Sequence, residues 1–131
     1  MVQYFEIPVA PKAKQRPRLA RSGKAYTPKQ TKFAEHVIRN YIRRQNPTKL
    51  EGPISITAEF IFKRPKSVTR NFHTVKPDVD NLLKLLLDGL QDKFGLFEDD
   101  KNIIHVAARK SYGDSDLIKV WIKEMEANLV E

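Results

Sequence analysis

Ile54-Ser55-Ile56-Thr57-Ala58-Glu59-Phe60-Ile61-Phe62 sets apolar side chains against the polar Ser55, Thr57 and Glu59 in alternation. Downstream, Pro77-Asp78-Val79-Asp80-Asn81-Leu82-Leu83-Lys84-Leu85-Leu86-Leu87-Asp88-Gly89-Leu90 repeats its leucines at helical spacing. A period of two places Ile54, Ile56, Ala58, Phe60 and Phe62 on one face of a half-buried strand. A period of 3.6 predicts a helix from about Val79 to Phe94, with Leu82, Leu83, Leu86, Leu87, Leu90 and Phe94 on one side and Asp80, Asn81, Lys84, Asp88 and Gln91 on the other. The leucines dock this helix, so its carboxylates are expected to face outward together.

Towards the N-terminus, Val2 to Val9 reads as a strand with Phe5, Ile7 and Val9 on one face, and Pro8 marks it as an edge. Residues 11–27 form a long basic loop. Thr27-Pro28-Lys29-Gln30 predicts a helix start, with Thr27 as cap, Pro28 at the first helical position and Gln30 closing a capping box. This helix should run to about Gln45, ahead of Asn46-Pro47, burying Phe33, Ala34, Val37, Ile38, Tyr41 and Ile42. Towards the C-terminus, Ile103 to Tyr112 and Leu117 to Met125 read as two strands of a hairpin turning around Gly113 to Asp116. The expected order is β-α-β-α-β-β, an α/β or α+β domain with two main helices on a small mixed sheet.

A chain of 131 residues fits one domain spanning 1–131, large enough to need no disulfide or structural metal. It has no cysteine, which excludes a thiolate zinc site or a cysteine nucleophile. His36, His73 and His105 fall on three different elements and make a zinc site improbable; His105 is expected to pack in its strand and His73 to lie in a loop. Tyr112, Trp121 and Phe94 are read as core. The five glycines form no phosphate-binding loop. Glu6 and Pro8 break up the first ten residues, and Lys84 and Asp88 interrupt the most apolar run, so no membrane association and a cytoplasmic location are expected.

Charge supplies the first functional signal. The formal net charge is +8, and residues 1–50 hold 12 basic against 2 acidic side chains. Clustered lysine and arginine displace counterions from phosphate, which points to a polyanion. The candidate contacts are Lys14, Arg16 and Arg18 in the loop; Lys32, Arg39 and Arg43 on the helix stripe shared with Lys29 and His36; and Lys76 before the second helix. A solvated basic surface explains the same charge.

The acids concentrate in the other half: Asp78 and Asp80 open the second helix, Asp88 and Asp92 lie along it, and Glu98-Asp99-Asp100 follows. Crowded carboxylates oppose folding unless a cation lies among them. Magnesium takes one or two carboxylates and leaves positions for water and substrate phosphate. The plainer alternatives are a helix cap for Asp78, a favourable helix-start charge for Asp80, and an ion pair between Lys84 and Asp80 or Asp88.

Lys76-Pro77-Asp78-Val79-Asp80-Asn81-Leu82-Leu83-Lys84, followed by Asp88-Gly89-Leu90 and by Glu98-Asp99-Asp100 before a strand, resembles the signature of the RusA family of Holliday-junction (crossover junction) endodeoxyribonucleases. Gln15-Arg16-Pro17-Arg18 and Tyr26-Thr27-Pro28 are similar to the family's opening, so the resemblance runs from Phe5 to about Met125. It implies a RusA-like fold and a Mg²⁺-dependent homodimer that resolves four-way junction DNA by paired symmetric nicks in recombination, repair or phage DNA processing. It implies Asp78 and Asp80 as metal ligands, Lys84 as the catalytic lysine and Asp100 as the third catalytic aspartate, with Asp99 able to exchange roles with Asp100. Asn81 and Asp88 match supporting positions. The competing class is a non-catalytic nucleic-acid-binding module, which accounts for the basic half and leaves the acids a coincidence.

Overall fold

The computed structural model describes residues 2–126. Four strands, β1 (Val2–Ile7), β4 (Ile54–Lys63), β5 (Ile103–Gly113) and β6 (Leu117–Glu124), form one sheet in the order β1-β6-β4-β5. Two helices, α1 (Lys29–Arg44) and α2 (Val79–Leu90), pack on it. The fold class and the expected order of main elements hold. A small antiparallel ribbon, β2 (Arg18–Leu19) with β3 (Ala25–Tyr26), is added inside the basic loop, its turn made by Gly23 at φ +83°. Gly23 is a position that only glycine adopts cheaply. No helix among the described residues is long and apolar enough to cross a membrane.

The central strand β4 pairs in parallel with β5 and antiparallel with β6. The predicted β5–β6 hairpin is therefore absent: β4 lies between the two strands. Its inward side chains Ile54, Ile56, Ala58 and Phe60 are all buried, which favours a central position. From Gly113 to Leu117 the chain can span about 13 Å. That exceeds the roughly 9.6 Å between next-nearest strands, so a turn short enough for a hairpin can also hop over β4. Asp116 secures the hop by accepting from Lys63 N at 2.8 Å.

Helix boundaries moved where local side chains competed with the helix. Pro28, at φ −55° and ψ 144°, takes the cap position of α1 and makes no side-chain cap bond, which leaves Thr27 outside the helix and the capping box unformed. α1 stops as expected, with Asn46 at φ 52° after the last turn. β1 ends at Ile7, ahead of Pro8. α2 ends at Leu90, four residues before Phe94, because Asp92 accepts hydrogen bonds from Phe94 N and from Arg43 and turns the chain. Phe94 is accordingly 85 % exposed and outside the core.

The buried face of α2 is Leu82, Leu85, Leu86, Gly89 and Leu90, with Leu83 and Leu87 half-buried. On α1, Ile38 and Ile42 are buried while Phe33 is 69 % exposed, a departure from the predicted face. One of the two histidine expectations fails: His73 lies in the loop between β4 and α2, as expected, while His105 does not pack in its strand. His73 is buried and stacks on Phe62, 3.8 Å between ring centroids, whereas His105 is exposed beside Ser55 Oγ. Trp121 and Tyr112 are half-buried; Trp121 packs against Tyr4.

Candidate active site

α2 begins at Val79, so Asp78 occupies its cap position and Asp80 its first turn. Asp78 makes no side-chain cap hydrogen bond, and among the described residues neither Asp78, Asp80 nor Lys84 forms an ion pair. All three are exposed. The cap role for Asp78 and the Lys84 ion pair are thus unfilled, while Asp80 keeps its favourable place at the helix start. Lys76, Pro77, Asp78 and Asn81 line a shallow recess of about 440 Å³.

The basic loop reaches this same turn. Lys14 N donates to Asn81 O at 3.0 Å, and the Lys14 ammonium donates to Asp88 Oδ2 at 2.6 Å. The next residue, Gln15, bonds through its backbone N to the buried Thr31 of α1 and through its amide to Gln30. Arg16 and Arg18 therefore leave from a point tied to both helix starts, and both are exposed. Lys32 and Lys76 are exposed too.

The helix stripe is only partly free. Arg39 donates to the carbonyl oxygens of Asp88 and Gln91, at 2.9 and 3.1 Å, and so closes the C-terminal end of α2. Arg43 forms a two-pronged pair with Asp92, at 2.7 and 2.9 Å. The Lys14 ammonium, Arg39 and Arg43 thus fasten the first half of the chain to α2. Between the helices, burial pushes the Glu35 carboxyl up, reinforced by the charge of Asp88, while Lys14 and Arg39 oppose the shift.

Asp99 and Asp100 are not gathered with Asp78 and Asp80 in a single chain. Among the described residues no group of three or more histidine or acidic side chains is close enough to hold a metal ion. Asp99 and Asp100 precede β5, whereas the Pro77 carbonyl beside Asp78 bonds to Lys110, seven residues into that strand. At strand rise that is about 23 Å. Asp99 caps the 3₁₀ turn Asp100–Asn102 by accepting from Lys101 N at 3.0 Å, a bond that also holds its carboxyl below the usual range. Asp100 follows, exposed. The two neighbouring acids are therefore unlike: one serves the turn, the other faces solvent.

Residues 8–123 match the family model described as Endodeoxyribonuclease RusA. The chain belongs to the RusA family of endodeoxyribonucleases. It is also similar to the uncharacterized protein YqaN of Bacillus subtilis (strain 168), 27 % identical over 139 aligned positions that cover 94 % of this chain and 96 % of that protein. The RusA match spans α1, β4, α2, β5 and nearly all of β6, together with the acidic helix start and the basic loop fastened to it, and leaves out β1. A second groove, about 760 Å³ and lined by Val9, Ala13, Phe33, Val37 and Leu85 among others, lies elsewhere and is mostly apolar.

Proposed function

We propose that this RusA-family chain is a single-domain, cytoplasmic, Mg²⁺-dependent endodeoxyribonuclease that acts as a homodimer and resolves four-way DNA junctions by paired symmetric nicks. The observation that carries the reading is the Lys14 N to Asn81 O hydrogen bond, which ties a basic loop to the turn bearing two uncommitted carboxylates. A non-catalytic DNA-binding module needs the first of these features and not the second.

Asp78 and Asp80 offer hard oxygen donors, the chemistry magnesium prefers, and one or two carboxylates suffice when substrate phosphate and water complete the shell. The cation, when bound, activates water and neutralises charge on the scissile phosphate. Lys84, one turn beyond Asp80, offers a cation to the phosphate, and Arg16, Arg18, Lys32 and Lys76 hold the flanking backbone. Within one chain Asp100 is remote from this turn, so its role as a third ligand requires a second copy to supply it. Two cuts on a nearly symmetric substrate also call for two sites, which a two-fold dimer provides.

The test is a synthetic four-way junction incubated with wild type and with Asp80→Asn, with and without Mg²⁺. Wild type should sediment as a dimer and nick symmetrically only with the metal. Asp80→Asn should lose cleavage while its metal-free thermal stability stays level, because relief of the like charge of Asp78 offsets the lost helix-start charge. Normal nicking by a destabilised Asp80→Asn protein would return Asp80 to a structural role.

A further inference from the structure

The turn carrying Asp78 is gripped from a strand that the metal ligands do not include. Lys110 lies on β5 in register with Phe60, on the sheet face that meets the helices, and is half-buried. A lysine placed there ordinarily extends its charge to water or to a carboxylate. The Lys110 ammonium instead donates to two backbone carbonyls, Val75 O at 2.7 Å and Pro77 O at 2.8 Å. Among the described residues it has no ion-pair partner.

These bonds complete a continuous attachment. Tyr112 N donates to Asn71 O, Phe72 bridges to Ser111, and His73 N donates to Lys110 O, so residues 71–73 lie along the edge of β5. The chain then leaves the strand, and the Lys110 side chain collects its next stretch. The Pro77 carbonyl shares a rigid peptide plane with the Asp78 nitrogen. On the other side, the Asp78 carbonyl accepts from Leu82 N at 3.2 Å. The backbone of Asp78 is therefore held between a charged grip and the first turn of α2. Its carboxylate makes no cap bond of its own, so the backbone decides where it points. Hydrogen bonds from a charged donor are about twice as strong as neutral ones, and a working ligand must be placed within about 0.5 Å.

We propose that Lys110 is a positioning residue: by holding the Val75 and Pro77 carbonyls it sets the Asp78 carboxylate for its cation. This rests on the reading of Asp78 as a metal ligand. Lys110→Met keeps the apolar stem and removes the donors, while Lys110→Arg keeps charge and donors. Hydrogen exchange across residues 74–80 should accelerate about tenfold in Lys110→Met, with β4 unaffected. Affinity for Mn²⁺ alone, titrated without DNA, should weaken by about tenfold or more, and Lys110→Arg should recover most of it. If Lys110→Met does not unfold cooperatively, Lys110→Gln replaces it in both measurements. Unchanged exchange overturns the proposal alone. Faster exchange with unchanged Mn²⁺ affinity also overturns it, since Lys110 would then be a plain anchor. Wild type without Mn²⁺ affinity, both alone and with an uncleavable four-way junction bound, removes the metal-site reading and the proposal with it.

Discussion

Asp92 gathers three hydrogen bonds on one buried carboxylate, two from Arg43 and one from Phe94 N. The Arg43 guanidinium holds its carboxyl below the usual range. Because the folded value is depressed, the stability it contributes is complete above the unfolded value of about 4 and is lost as acid drives pH down through the folded value. Burial pushes the His73 imidazole down, so His73 loses stability in a different window, beginning as pH falls below about 6.5. Thermal unfolding followed from pH 7 to pH 3 should show both limbs; His73→Phe should flatten the upper one and Asp92→Asn the lower. Asp92→Asn should also cost about 1–3 kcal/mol at neutral pH. Asp78 and Asp80 stood out in the sequence because their neighbours along the chain carry the pattern. The Arg43–Asp92 pair did not, since its partners lie 49 residues apart and nothing local announces them.

α1 and α2 cross at Gly89, where an added Cβ would sit 2.9 Å from Ile38 Cβ and 3.2 Å from Glu35 O. Gly89→Ala should gain about 1 kcal/mol of helix propensity and lose about 1–3 kcal/mol to overpacking. The loss should prevail because a backbone oxygen and a β-branched carbon cannot swing away. Denaturant unfolding is expected to show net destabilisation, and Gly89→Ala should cost less in an Ile38→Ala background, where the clashing Cγ2 is gone, than in the wild type. The elements themselves were readable: the alternation of β4 and the leucine period of α2 gave the right types. Their neighbours were less so. Leu85 turned inward because the helix rotates to bring Gly89 against α1, Phe94 turned outward because α2 stops at Leu90, and the β5–β6 turn carries the same residues whether it closes a hairpin or crosses a strand.

Over the whole molecule the excess charge divides into two populations. Lys14, Arg39 and Arg43 brace α2 from the first half of the chain, leaving Arg16, Arg18, Lys32 and Lys76 turned to solvent. Arg16→Glu or Arg18→Glu should weaken junction binding and reduce the magnitude of the log–log salt slope by about 1 per lost phosphate contact, with an unchanged melting temperature. Arg39→Glu should lower that temperature instead. An unaltered salt slope in both loop variants would make the basic front a solvated surface. The strand order has a different consequence, in time. β6 hydrogen-bonds to both β1 and β4 yet is the last of the four strands in chain order, so a growing polypeptide cannot complete its sheet until residues 117–124 have been made. Until then Phe5 and Ile7 lack the strand that pairs with them, and β4, α2 and β5 are the pieces that can assemble first during synthesis.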